Sequence, residues 1–313
     1  MSSSVTVDVV RVRPGLRFQV WFRDKKLFPV ALVLPAMVIL LAVGLGPLIY
    51  VLVLSFAKYS PGQALEFAGL NNFVRAFESG RTWRGLYITG WFVFASIGIQ
   101  LLLGFITALA LQRVNKTFRR MATTIILIPM MIAPTVVGVL WKQMFKARYG
   151  ALNYLLGMIG IVGPDWLADR NAALAGLLIA DIWEWMPFMT ILLLAGLQSL
   201  PQEIYEASHV DGSTTWQTFK NMTLPLMRPF IFLAVFLRMI DAWKTFDLIF
   251  GVTRGGPGDF TESIAWYTYK VGFTYFDAGL AAALSVIQLL VIIFVGKALL
   301  TQLARVAEVP RSR

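Results

Sequence analysis

The chain has 313 residues, 58% of them apolar and only 14% charged, against about 45–50% and about 25% in typical globular chains, so a water-soluble domain is a poor reading. Its 28 Lys and Arg exceed 17 Asp and Glu by a net +11, which fits nucleic acid, anionic lipid or a topogenic signal until the charges are placed. With no cysteine and the single His209, disulfide scaffolds, iron–sulfur clusters, Cys-ligated zinc and multi-histidine metal sites are excluded.

A bilayer core about 30 Å thick takes roughly 20 apolar residues of helix, because lipid offers no partner to a free backbone amide or carbonyl. Six stretches are long and apolar enough: 27–56, 87–111, 121–141, 172–197, 226–250 and 280–301. The expected fold is all-α, a polytopic membrane protein of six transmembrane helices, with tails over 1–26 and 305–313 around a transmembrane domain over 27–304. The first stretch follows a basic run, 11–26, but is too long for a signal-peptide core and has no small-residue cleavage site behind it, so it reads as a retained helix. Pro29, Pro35, Pro47, Pro129, Pro134 and Pro187 fall within spans. Each removes a helix hydrogen bond, and the bend reads either as ordinary kinked packing or as one that opens a cavity.

Lys and Arg near span ends are held on the cytoplasmic side. The amino-terminal tail, the 112–120 loop, the 199–229 loop and the tail from Lys297 hold sixteen of the 28. The intervening loops hold eleven, and Arg238 lies inside a span. After the acids are subtracted the two sides stand at +10 and +3, with −2 inside the spans. Both termini are therefore expected in the cytoplasm, and most of the headline charge is an orientation signal.

The loop after the fourth span is too patterned for a linker. Ser199 with Gln202, and Thr214 with Gln217, have capping-box spacing, so two short helices can start there. Asp211-Gly212 supplies the turn between them. Ile204, Tyr205, Ala207, Val210, Trp216 and Phe219 give the pair more apolar surface than a solvated connector needs. The residues alone leave two readings: a helix hairpin lying on the membrane surface, or a docking element for a cytoplasmic protein.

Glu206-Ala207-Ser208, then Gly212, then Met222, Leu224 and Pro225 resemble the EAA loop of permease subunits in binding-protein-dependent ABC importers. Ser208 departs from the second alanine of that pattern and Met222 from its isoleucine. Asp211-Gly212, Gly69-Leu70-Asn71-Asn72-Phe73, Thr253-Arg254-Gly255-Gly256-Pro257 and Gly279-Leu280-Ala281-Ala282-Ala283-Leu284-Ser285 are similar to the carbohydrate branch, the maltose, trehalose and glycerol-phosphate permeases. The resemblance implies a type I importer permease fold in a bacterial or archaeal cytoplasmic membrane. It also implies a coupling loop over about 199–225 that docks an ATPase subunit through Glu203, Glu206, Ala207, Ser208, Asp211, Gly212, Leu224 and Pro225. The expected partners are a second permease, two ATP-binding subunits and an extracytoplasmic solute-binding protein. His209 is expected to be an exposed surface residue.

The chain itself has no G-x-x-x-x-G-K-[ST] loop; Gly296-Lys297 is followed by Ala298 in an apolar stretch, so ATP and Mg are expected on partner subunits and no cofactor in this chain. No Ser/His/Asp set is present, and catalytic residues are expected to be absent. A nucleic-acid role is disfavoured because the basic residues flank spans instead of forming a stripe.

Ionisable groups inside spans are costly, commonly about 2.5–3.5 kcal/mol at a helix centre, and usually face a cavity or a partner. Asp181 and Glu184 on the fourth span, and Arg238 and Asp241 on the fifth, each sit at i,i+3. They read either as an ion-pair network joining helices, Arg238 with Asp181 or Asp241, or as a cargo site. Three acids to one base, interleaved with aromatic rings, suit a neutral polyhydroxy solute, whose hydroxyls meet the carboxylates and whose apolar face meets the rings. The resemblance places cargo contacts on the third to sixth spans at Met131, Thr135, Asp181, Glu184, Trp185, Phe188, Arg238, Asp241 and Lys244, and the bulk of Glu184 and Trp185 leans toward a mono- or disaccharide, polyol or small glycoside. The competing reading is an ion-gradient-driven secondary transporter using the same carboxylates, which predicts an inverted repeat; none is visible.

Overall fold

The computed structural model describes residues 27–59, 62 and 64–307. The expected tail over 1–26 and the end of the second tail, 308–313, lie outside them, as does the side chain of His209. The chain divides into two compact units, Met1–Val53 and Leu54–Arg313. The first contributes most of α1 (Leu27–Ser55), a helix with Pro35 and Pro47 inside it and no charged residue. A helix apolar on every side suits lipid or a deep protein interior.

The second unit opens with a short ladder, β1 (Ala57–Lys58) pairing antiparallel with β2 (Glu66–Phe67). It is the only strand pair among the described residues. Next comes α2 (Asn71–Glu78), whose buried Asn72 donates to the carbonyls of Ser55, at 3.0 Å, and Ala57, at 2.8 Å. A Cβ at Gly279 would collide with the Ala57 carbonyl and lie 2.9 Å from the Asn72 amide nitrogen. Two of the motifs singled out in the sequence are thus one contact, with the asparagine holding the chain and the glycine leaving room for it.

The long helices α3 (Gly80–Arg113) and α7 (Arg170–Ser199) form the most extensive pairing. Gly104 permits it, since a Cβ there would stand 2.8 Å from the Met189 Cβ, and small residues at such crossings let membrane helices approach closely. Asp169 starts α7 by accepting from the Ala172 amide at 2.8 Å. Against both of them packs α10 (Leu224–Trp243), and α13 (Ala278–Ala307) packs on α10. Val93, Ile97, Met189, Ala234 and Met239 fill one layer of the interior, and Ala108, Leu193, Leu197 and Met227 the next.

Two expected spans come out differently. The stretch 121–141 is not one helix but α4 (Lys116–Leu127), a 3₁₀ turn at Pro129–Met131 and α5 (Pro134–Met144). Pro129 and Pro134 lack the amides a continuous helix needs, and Ala133, before the second, is pushed to extended backbone at ψ 135°. The stretch 226–250 ends its helix at Trp243, turns through Lys244 at ψ 12°, and resumes as α11 (Asp247–Val252). The Thr245 hydroxyl caps the break by donating to the Ala242 carbonyl at 2.6 Å. Among the described residues five helices are therefore long and apolar enough to cross a membrane: Leu32–Ser55, Gly80–Arg113, Arg170–Ser199, Thr215–Trp243 and Ala278–Gln302.

The broken segments meet each other. A Cβ on Gly138 of α5 would lie 2.9 Å from the Gly251 Cα, and one on Gly251 of α11 would lie 2.7 Å from the Gly138 Cα. Gly138→Val should therefore push α5 and α11 apart and destabilise the fold by about 1–3 kcal/mol, the usual cost of overpacking. Thermal unfolding of the purified chain in detergent checks this, and an unchanged midpoint would contradict the close approach.

The remaining short elements, α6 (Ala151–Met158) and α12 (Ile264–Tyr269) with the π-helical turn Lys270–Thr274 behind it, lie in the connections. At the Gly80 end of α3, buried Glu262 accepts from Arg81 at 2.9 Å and from Lys270 at 3.1 Å. That ties the loop carrying the Thr253–Pro257 motif to the bundle.

Candidate functional site

The 199–225 segment folds as a hairpin. The helix α8 (Gln202–Val210) leads into Asp211-Gly212, where Gly212 adopts φ +71°, a conformation that only glycine takes without cost. The next helix, α9 (Thr215–Thr218), starts with the expected box. The Thr214 amide donates to Gln217 Oε1 at 2.8 Å and the Gln217 amide to Thr214 Oγ1 at 3.3 Å. The other expected cap is not formed at Ser199. That residue ends α7, and its hydroxyl donates back to the Gly196 carbonyl at 2.7 Å. Pro201 directly precedes α8, a position where the missing amide costs nothing.

A π-helical turn, Phe219–Thr223, carries α9 directly into α10, so the second hairpin helix and the span are one continuous helix from Thr215 to Trp243. Leu224 and Pro225 form its joint at the start of α10. Glu203, Glu206, Ala207, Asp211 and Gly212 are exposed. Ser208 is not: it is 2% exposed, and its hydroxyl pairs with that of Thr218 at 2.7 Å. The departure from alanine at 208 thus has a local partner across the turn and binds the two hairpin helices together.

The second feature is a cavity of about 300 Å³ where α7, α10 and α11 meet near the start of α5. Asp181, Glu184 and Trp185 reach it from α7, Arg238 and Asp241 from α10, Lys244, Thr245 and Phe246 from the break between α10 and α11, and Asp247 from the start of α11. The i,i+3 spacing does what it suggested, placing each pair on one helix face. Arg238 is 2% exposed, and each of its three guanidinium nitrogens donates a hydrogen bond. Nη2 donates to Asp181 at 2.6 Å, Nη1 to Asp241 at 2.9 Å and Nε to Gln100 at 3.0 Å. Gln100 also donates to the Asp181 carboxylate at 2.7 Å, and Ser96 supplies a further hydrogen bond to it. The guanidinium lies 4.8 Å over the Trp185 ring.

The ion-pair reading of these charges holds, with Arg238 bridging Asp181 and Asp241. Asp181 and Arg238 are tied into a buried network joining α3, α7 and α10, while other polar groups are left for the cavity. The Asp241 side chain is 46% exposed, and Lys244 is exposed. Glu184 is 1% exposed, yet its Oε1 has no hydrogen-bond partner. A buried acceptor without a partner is costly, and here it borders an open cavity.

Three of the nine expected cargo residues do not line this cavity. Met131 is 83% exposed on the 3₁₀ turn that Pro129 and Pro134 create. Thr135 is used to hold Asp247, its hydroxyl donating to Oδ1 at 3.2 Å. Phe188 is half-buried a turn beyond Glu184 on α7.

The family described as the binding-protein-dependent transport system inner membrane component matches residues 100–307. That stretch contains the hairpin and every residue lining the cavity. A probable ABC transporter permease protein of Sinorhizobium fredii is 34% identical over 99% of either chain. The chain belongs to this family. The trehalose/maltose transport system permease protein of Thermococcus litoralis is 36% identical across 72% of this permease and 76% of its own length. In fold, the permease resembles a chain in the crystal structure of a bacterial ABC transporter that imports the acidic polysaccharide alginate, with TM-score 0.78, 23% identity, and coverage of 93% of this chain and 99% of that one. It is thus a multi-pass inner-membrane component of an ABC importer, as the EAA-like string and its companion motifs implied.

Some residues of the buried network and of the cavity escaped the sequence reading of the permease. Gln100 and Ser96 were visible in principle, as polar side chains at i,i+4 within an apolar span. Phe246 and Asp247 were not, because a helix running on to Phe250 would have carried them past the site; only the turn at Lys244 brings them back.

Proposed function

We propose that the permease forms, with a second permease, the membrane pathway for a neutral, sugar-like solute of mono- or disaccharide, polyol or small-glycoside size. ATP and Mg bound to two separate ATPase subunits drive it between outward- and inward-open states, an extracytoplasmic binding protein delivers the solute, and both termini face the cytoplasm.

The observation that carries this reading is the cavity. It combines an unpartnered carboxylate oxygen at Glu184, a half-exposed carboxylate at Asp241 and an ammonium at Lys244 with the rings of Trp185 and Phe246. Such a surface accepts hydroxyl hydrogen bonds on one side and packs the apolar face of a sugar ring on the other. Its volume lies at the lower end of the roughly 300–1,000 Å³ typical of ligand pockets, which suits a small solute. The relative named for trehalose and maltose supports the same class. Alternating access fits this hairpin, because α8 is tied to the helix that runs on into α10 by the Tyr205–Thr223 and Ser208–Thr218 hydrogen bonds, so a displacement at Glu206 to Gly212 is passed to the span that carries Arg238 and Asp241. Family membership weighs against the ion-gradient reading.

The test is uptake by the complete importer in liposomes across a panel of labelled neutral sugars and polyols. One of them should be taken up in an ATP-dependent manner, and Asp241→Asn should lower that uptake about tenfold, the scale of a lost hydrogen bond to a charged group. Uptake of the same solute under an ion gradient, without ATP and by this chain alone, would overturn the proposal.

A further inference from the structure

A groove of about 690 Å³ lies behind the hairpin, between it and the last turn of α3, lined by Leu109, Gln112, Arg113, Tyr205, Trp216 and Phe219 among others. It is separate from the coupling surface. Tyr205 and Ser208 are the α8 residues that turn toward Thr223 and Thr218, while Glu203, Glu206 and Ala207 are exposed and do not line the groove. We propose that this groove seats an acyl chain of an anionic phospholipid, whose headgroup is held by Arg113.

Position, surface and charge argue for that occupant. The 34 residues of α3 make a helix about 51 Å long at 1.5 Å per residue, well beyond a core of about 30 Å, so its last turn, with Leu109 and Arg113, emerges at the headgroup level. The groove is mostly apolar, and its aromatic residues are of the kind found at membrane–water interfaces. Trp216 is 68% exposed and stacks on Phe219 at 5.6 Å. Phe219 in turn meets Phe105 of α3 edge-on at 5.8 Å.

The charge is complementary to an anionic headgroup. Residues 112–120 carry Arg113, Lys116, Arg119 and Arg120 and no acid. Arg119 donates to the carbonyls of Leu111, Gln112 and Val114. Arg113 is exposed, and no ion pair involves it among the described residues. Among the described residues it is the one cation lining the groove. Basic pockets between helices at the membrane surface bind anionic headgroups on this principle.

The test places the complete importer in nanodiscs of phosphatidylcholine alone, or of phosphatidylcholine with phosphatidylglycerol, with brominated acyl chains on one lipid at a time, and reads quenching of tryptophan fluorescence. Brominated phosphatidylglycerol should quench more than brominated phosphatidylcholine, and the difference should vanish in Trp216→Phe. Arg113→Gln should weaken the phosphatidylglycerol-specific part about fivefold, the scale of one basic residue near an anionic surface, while Arg113→Lys keeps it. Equal quenching by the two lipids, or a specific part that Trp216→Phe leaves unchanged, would overturn the assignment. So would quenching seen in the isolated full-length chain but lost in the complete importer, which would give the groove to a partner subunit.

Discussion

Arg238→Met should destabilise the membrane core by about 3–5 kcal/mol, the range for breaking a buried ion pair from one side. The guanidinium satisfies Asp181, Asp241 and Gln100 at once, from a side chain that is 1% exposed. Without it the Asp181 carboxylate stays buried with only Ser96 and Gln100 for partners. Arg238→Lys should recover only part of the loss, because an ammonium keeps the charge but cannot reproduce the planar fork that spans two helices. Removing both partners together, Arg238→Met with Asp181→Leu, should cost less than Arg238→Met alone, since the buried Asp181 carboxylate is gone and Asp241 is left with its exposed edge in solvent. Denaturant titration of the purified chain in mixed micelles gives all three values. A single Arg238→Met variant as stable as the parent would mean that the network contributes nothing.

Gly212→Pro should abolish ATP-coupled uptake while the spans stay assembled. Proline fixes φ near −65°, whereas the hairpin turn holds Gly212 at +71°, so the turn must reorganise. No heavy atom lies within 4 Å of a Cβ built at this position. The fault is therefore conformational and local, leaving the buried layers along α3, α7 and α10 untouched. Gly212→Ala should act more weakly, because a left-handed alanine costs roughly 1 kcal/mol and can still be accommodated. The readout is uptake together with stimulation of ATP hydrolysis by the loaded binding protein: Gly212→Pro should lose both, with basal hydrolysis retained. Full uptake by this variant would remove the hairpin from the coupling path.

Much of this was legible in the sequence because it rests on local chemistry. Apolar length gave α1, α3, α7, α10 and α13, and the Thr214–Gln217 spacing gave its capping box. The glycine after Asp211 gave the left-handed turn. The i,i+3 charge pairs gave the two helix faces that form the cavity. What escaped depended on where helices break. Hydropathy reads 121–141 as one span, but two prolines five residues apart divide it, and Met131 is carried out of the site with the resulting turn. Hydropathy also runs the fifth span on to Phe250, past the stop at Lys244 that brings Phe246 and Asp247 to the cavity. Arg238 pairs with both acids that the sequence offered it, and only the geometry shows that Asp181 is buried while Asp241 keeps an exposed edge.

On the proposed function, the cavity between α7, α10 and α11 lies on the solute path and the hairpin controls it. The chain contains no cysteine, so Lys244→Cys places one thiol of this subunit at the cavity mouth. Its rate of modification by a membrane-impermeant thiol reagent can be followed in the complete importer with and without ATP and with and without the transported solute. That rate should change with ATP, slow when solute is present, and lose its ATP dependence when Gly212→Pro is added. A single rate under all of these conditions would contradict the proposed function.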